Sequence, residues 1–152
     1  MKILVTGVHG FVGGSVGRFA TQQGYEVLGL ARNSQPPANW RTGYTNIDVA
    51  YADAVLALRH FRRDAVVHCA GSASVQASFE NLSDDFNSSA GSLNRMLEAV
   101  KRSSLRPVVI FPSSAAVYGN SAKLPIAESA PVSPISPYCF HKHAAEIVAQ
   151  SY

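Results

Sequence analysis

Thr6-Gly7-Val8-His9-Gly10-Phe11-Val12-Gly13 constrains this chain more than any other stretch. It comes after a short apolar run, Ile3-Leu4-Val5, that reads as a buried strand, and precedes Val12, Val16 and Phe19 at helical spacing. Three glycines at a strand-to-helix turn have separate tasks: Gly7 permits the tight turn, Gly10 lets backbone approach a pyrophosphate, and Gly13 lets the helix pack close to the strand. The helix start then offers free N–H groups and the positive end of its dipole to phosphates. Alone, the pattern is equally that of a glycine-rich turn.

The 152 residues suffice for one domain with a real core. With 47% hydrophobic and 15% charged residues the composition is that of a soluble globular protein, and no apolar run approaches a membrane span. Met1 to Val5 is too short for a signal peptide, so a cytoplasmic location is expected. Cys69 and Cys139 have neither disulfide-framework nor metal-ligand spacing, and no metal is expected. A net charge of +3 with scattered arginines gives no case for nucleic acid; Arg59, Arg62 and Arg63 cluster at a helix end, where they suit the dipole.

Apolar runs at 2–6, 25–30, 44–47, 64–69 and 107–112 alternate with helical patterns at 11–23, 52–62, 82–102 and 138–152. Strands separated by helices imply parallel pairing with right-handed crossovers, hence an α/β fold with a doubly wound, Rossmann-type sheet. Ligands of such sheets sit beyond the carboxyl ends of the strands, where every further motif falls.

The second strand ends at Ala31-Arg32-Asn33. A carboxylate is usual there when a ribose 2′-hydroxyl is bound; an arginine in its place favours a 2′-phosphate, so NADP is preferred over NAD. Asp48, followed by Val49, ends the third strand, either to accept from an adenine amino group or to cap the next helix. The fourth strand opens into Ala70-Gly71-Ser72, small enough for backbone to lie against a dinucleotide. His68 within that strand reads as a satisfied core histidine rather than a catalyst. Leu82, Phe86, Leu93, Met96, Leu97 and Val100 form one stripe over 82–102, for core or interface packing. Ser113-Ser114 follows the fifth strand as a serine turn or a hydroxyl pair for a reacting oxygen. Finally, Pro137 suits a first helical turn, and Tyr138 and Lys142, four apart, share a face. A phenol near pKa 10 is a poor base at neutral pH, but an ammonium beside it favours phenolate.

Thr6-Gly7-x-x-Gly10-Phe11-x-Gly13, Asp48-Val49, His68-Cys69-Ala70-Gly71, Ser113-Ser114-Ala115-Ala116-Val117-Tyr118-Gly119 and Pro137-Tyr138-x-x-x-Lys142 with Glu146 occur in order across the whole chain. Together they resemble the extended short-chain dehydrogenase/reductase family, the nucleotide-sugar epimerases and dehydratases. The resemblance implies a dinucleotide held by Gly7, Gly10, Phe11, Val12, Gly13, Arg32, Asp48, Val49, Ala70, Gly71, Tyr138 and Lys142. It implies Tyr138 as general base or acid, Lys142 on the nicotinamide ribose, and Ser114 on the reacting oxygen of a nucleoside-diphosphate sugar. Homodimers through helices 82–102 and 138–152 are also implied.

Three departures from the family pattern stand out. Ser88 stands where Asn is usual on the long helix. Ala115-Ala116 replaces the acidic residues that serve elimination, which favours epimerisation or keto-sugar reduction over dehydration. His141 replaces the usual Ser before the lysine, with no evident chemical consequence. The chain also stops ten residues after Lys142, before the C-terminal lobe that grips the sugar in this family. A single 1–152 dinucleotide-binding domain, cut from a longer protein and lacking that lobe, is therefore expected; a non-catalytic binding module is the alternative.

Overall fold

The computed structural model describes residues 1–121 and 123–152. Five parallel strands form one sheet, in the order β3-β2-β1-β4-β5: β1 Lys2–Thr6, β2 Glu26–Ala31, β3 Gly43–Asn46, β4 Ala65–His68 and β5 Val108–Ile110. The order reverses between β1 and β4, so the carboxyl ends of these two central strands open the crevice in which doubly wound sheets take ligands.

One face carries helix α1 (Phe11–Gln22), packed over Ile3, Val5, Val27 and Val67. The other carries α2 (Val55–His60) and α5 (Ser92–Ser103), where Leu58, Met96 and Ala99 close over Leu4, Leu30 and Val66. Strands buried on both faces read as continuous apolar runs, which is why β1 and β4 stand out in the sequence. Helix α6 (Pro137–Gln150) lies beside α5, with Ala145 against Leu93 and Leu97. Among the described residues no helix is long and apolar enough to cross a membrane.

Two helical regions correct the sequence expectations. Only Val16 of the Val12, Val16, Phe19 stripe packs on the core: Val12 and Phe19 are 48% and 63% exposed, and the buried face of α1 is otherwise Gly13, Gly14, Gly17 and Ala20. The helix lies too close to β1 for anything larger. A Cβ on Gly13 would overlap the Gly7 carbonyl, and one on Gly17 would overlap the Trp40 ring.

The region 75–103 is also not one regular helix. A short helix α3 (Val75–Glu80), undetected in the sequence, is capped by Ser74, whose Oγ accepts from the Ala77 N–H at 3.1 Å. After Asn81 comes α4 (Leu82–Phe86), then a π-helical turn over Asn87–Gly91, and only then α5. A π turn inserts one residue into the helical repeat and rotates the residues beyond it. The single stripe therefore splits: Leu93, Met96 and Leu97 are buried, while Leu82 and Phe86 are 56% and 45% exposed. Before the turn the inward position is taken by Asp85.

Candidate active site

A groove of about 640 Å³ lies beyond the carboxyl ends of β1, β2, β3 and β4. Its middle is the glycine turn. Gly7 has φ +68°, and a Cβ there would stand 2.7 Å from the Ala70 nitrogen and 2.8 Å from the Cys69 carbonyl oxygen. No side chain caps the first turn of α1, so its leading N–H groups stay free at the groove. The Phe11 side chain is 90% exposed, which leaves its backbone as the part able to hold a ligand in the groove.

At one end stand Ala31, Arg32 and Asn33. The Tyr44 hydroxyl donates to the Asn33 carbonyl at 2.6 Å, and Asn46 Nδ2 donates to the carbonyls of Arg32 and Asn33, both at 2.8 Å. Two side chains of β3 thus fix the backbone that carries Arg32. Across from it Asp48 and Val49 line the same end. Asp48 does not cap α2, which begins at Val55 with Asp53 accepting from its N–H. Its Oδ1 instead accepts from the Ala50 N–H at 3.1 Å.

The floor runs through Ala70 and Gly71, held by a chain of hydrogen bonds. The Ala70 N–H donates to Thr6 Oγ1 at 2.9 Å, and that hydroxyl meets His68 Nδ1 at 3.1 Å. His68 Nε2 meets Ser92 Oγ at 3.1 Å, which donates to the Ser88 carbonyl at 2.6 Å. Donors and acceptors balance along this chain only if Nε2 carries the imidazole proton. His68 is fully buried, and burial, helped by the Lys142 charge, pushes its pKa down to about 3. It is a neutral strut between the sheet and the π turn, in keeping with its place on an apolar strand.

Gly71 differs from the other glycines here. A Cβ on it would meet Ser88 O at 3.6 Å and Lys142 Nζ at 3.8 Å, ordinary contacts. Among the described residues nothing requires glycine at 71, and the space it leaves open belongs to the groove. That spare space and the uncapped turn above the glycines fit a flat dinucleotide.

Lys142, on α6, does not itself line the groove, nor do Tyr138 and Ser114; its Nζ stands behind Gly71, 3.8 Å from where a Cβ there would lie. Lys142 is 7% exposed, its Nζ donates to the Pro112 carbonyl at 3.3 Å and lies 4.7 Å from the centre of the Phe111 ring. Burial pulls its pKa down, against the opposing pull of Cys69, Asp85 and Glu146. Tyr138 is one turn earlier on the same helix, held through its backbone N–H on Ser78 Oγ at 3.1 Å. Ser136 Oγ caps the helix by accepting from the Cys139 N–H at 3.3 Å, and Pro137 takes the first position. Ser114 Oγ accepts from the Ala116 N–H at 3.2 Å, which leaves its own proton free to be donated. Among the described residues no hydrogen bond joins Ser114 to the Tyr138 hydroxyl. The lysine anchor to Pro112 brings α6 to the chain just before Ser114.

Sequence reading misses Asp85 and gives His141 no role. Both are polar residues at a helix–helix contact. His141 Nδ1 lies 2.6 Å from Asp85 Oδ2, and the two side chains are 17% and 2% exposed. The available signal is a carboxylate at an inward helical position, obscured by the undetected π turn.

Residues 3–152 match the model of the NAD dependent epimerase/dehydratase family. The chain is 30% identical over 160 residues to the UDP-glucose 4-epimerase of Mycolicibacterium smegmatis, covering all of this chain (100%) and 51% of that protein. Among solved structures it is similar to the UDP-glucose 4-epimerase of Brucella ovis in complex with NAD, at TM-score 0.91 and 30% identity, covering 99% of this chain and 47% of that one. It is likewise similar to the UDP-glucose-4-epimerase of Stenotrophomonas maltophila with bound NAD and formylated UDP-arabinopyranose, at TM-score 0.90 and 26% identity, covering 99% and 48%. The chain thus spans about half the length of these relatives.

Proposed function

Since the chain belongs to the NAD dependent epimerase/dehydratase family, we propose that it binds a nicotinamide dinucleotide along this groove and serves the epimerisation of a nucleoside-diphosphate sugar. The observation that carries this reading is the buried Lys142 behind the groove floor, its Nζ 3.8 Å from the Cβ position of Gly71, with Tyr138 one turn away. A buried ammonium one helical turn from a phenol suits proton transfer better than binding alone.

A bound nicotinamide would supply the hydride acceptor and donor. The chain's own residues manage the proton. Tyr138 takes it from the sugar hydroxyl as that carbon is oxidised and returns it on reduction. Lys142 would favour the phenolate by its charge and would hold the ribose of the bound dinucleotide. Ser114, whose proton is uncommitted, donates to the reacting oxygen. Elimination would need an acid near Ser114, and Ala115 and Ala116 provide none. The test is interconversion of UDP-glucose or UDP-glucuronate with its 4-epimer, monitored by proton NMR in the presence of dinucleotide. Dinucleotide binding with no interconversion of any nucleotide sugar would leave only the binding module.

Both solved relatives named above hold NAD. The absence of a carboxylate at Ala31 and the exposed Arg32 at the groove end favour NADP for this chain. Calorimetry is expected to give tighter binding of NADP than NAD. Arg32→Ala should weaken NADP by about tenfold, on the order of one charge-assisted hydrogen bond, and leave NAD unchanged. Equal affinities, insensitive to Arg32, would contradict it. A homodimer is supported by exposed Leu82 and Phe86 on α4 and Phe140 and Ile147 on α6, four apolar side chains on the two regions through which family members pair.

A further inference from the structure

Two walls of the groove come from distant parts of the chain. One is the segment after β3, where Asp48, Val49 and Ala50 line it; the other is the start of α4, where Asn81, Asp84 and Asp85 do. One side-chain hydrogen bond crosses between them: the Tyr51 hydroxyl donates to Asp84 Oδ1 at 3.0 Å, over 33 residues of sequence. Among the described residues no other hydrogen bond joins these two walls.

Both partners are set in place by their own backbone. The Tyr51 and Ala52 N–H groups donate to the Asp48 carbonyl at 3.0 and 2.8 Å, so Tyr51 stands one tight turn beyond a groove-lining residue. On the other wall Asn81 caps α4. Its Oδ1 accepts from the Asp84 N–H at 3.0 Å, and its Nδ2 donates to Asp84 Oδ2 at 2.8 Å. One carboxylate oxygen of Asp84 is thus committed to its own helix cap, which leaves Oδ1 for the opposite wall. The Tyr51 side is different. Its residue is 61% exposed and does not line the groove, so the bond lies at the rim. Little burial holds the ring there; the hydrogen bond does. Rotation of one side chain breaks it without disturbing the core.

We propose that Tyr51 and Asp84 form a latch across the groove, which has to open for a dinucleotide to enter or leave and so sets how fast the cofactor exchanges rather than how tightly it binds. This rests on the reading of the groove as a dinucleotide site. A closure held by one exposed hydrogen bond is weak enough to open at every exchange, and an element that opens for passage in both directions changes both rates by the same factor. Loosening it leaves the glycine turn and Arg32, where affinity is expected to arise, as they are.

Stopped-flow fluorescence of NADPH or NADH reads both rates, association on mixing and dissociation on displacement by excess oxidised dinucleotide. Tyr51→Phe removes the donor and keeps the ring, and at so exposed a position it should leave the fold intact. It is expected to speed association and dissociation alike by about fivefold, the scale of one hydrogen bond, with the dissociation constant within about twofold of wild type. Asp84→Ala removes the acceptor and should raise dissociation by the same factor. The double variant should be no faster than either single one, because the two side chains act through one bond. Unchanged dissociation in Tyr51→Phe would overturn the latch. So would faster dissociation with affinity lost in proportion, which would make Tyr51 a ligand contact, or a double variant whose rate is the product of the single effects. Absence of saturable binding to the wild-type protein would instead overturn the dinucleotide reading, and the latch with it, so the two failures are told apart.

Discussion

Replacing Tyr138 by Phe is expected to lower epimer interconversion by about 10² to 10⁴-fold while leaving dinucleotide affinity within about twofold of wild type. The substitution removes one hydroxyl and keeps the ring. The helix bearing it is held by other means: the Ser136 cap, the Tyr138 N–H bond to Ser78 and the packing of Ala145 on Leu93 and Leu97. Stability should therefore barely change, and the loss should fall on turnover. It is measured by exchange of the sugar 4-epimers by NMR, alongside calorimetry of the dinucleotide. Retention of most of the turnover would remove Tyr138 from the mechanism.

The second large effect is structural. Gly13→Ala should destabilise the fold by about 3 kcal/mol, at the upper end for overpacked interiors, because its Cβ would overlap the Gly7 carbonyl between two rigid backbone segments. For a chain of this size that corresponds to a fall in melting temperature of roughly 10 °C. Gly24→Ala is the informative contrast. Gly24 has φ +77° but nothing within 4 Å of an added Cβ, so only the backbone penalty of about 1 kcal/mol applies. Calorimetric melting of the two variants separates a packing requirement from a conformational one. Equal losses would mean that α1 can withdraw from β1.

Features of this fold are legible in the sequence to the degree that each is encoded locally. The sheet is legible because parallel central strands bury both faces, so β1 and β4 are unbroken apolar runs. The glycine turn is legible because its constraint is local: Gly7 needs its positive φ, and Gly13 needs to lack a side chain. The buried face of α1 is legible only in part, because Gly13, Gly14 and Gly17, which carry no hydrophobic signal, share it with Val16 and Ala20. The phase of the long helical region is lost at the π turn, since a period of 3.6 cannot reveal an inserted residue in advance. Everything that depends on that phase is hidden with it: the outward turn of Leu82 and Phe86, and the inward turn of Asp85. Helix α3 escapes notice because six residues are too few for a periodic pattern, though Ser74 does mark its start. The Tyr138–Lys142 pair can be placed on one helix face from spacing alone. Its approach to Gly71 depends on the Pro112 carbonyl, a contact between residues 30 apart in sequence.

The ligand that fills the groove is the most direct test of the central claim. Titration of the protein with NAD and NADP, by calorimetry, is predicted to show saturable binding of one dinucleotide per chain. The same titration of Gly71→Ala, a variant predicted to melt like wild type because its Cβ meets only ordinary contacts, should show affinity reduced by about tenfold or more. No saturable binding of either dinucleotide would contradict a nucleotide-binding role for the groove, and equal affinity in Gly71→Ala would place the ligand away from its floor.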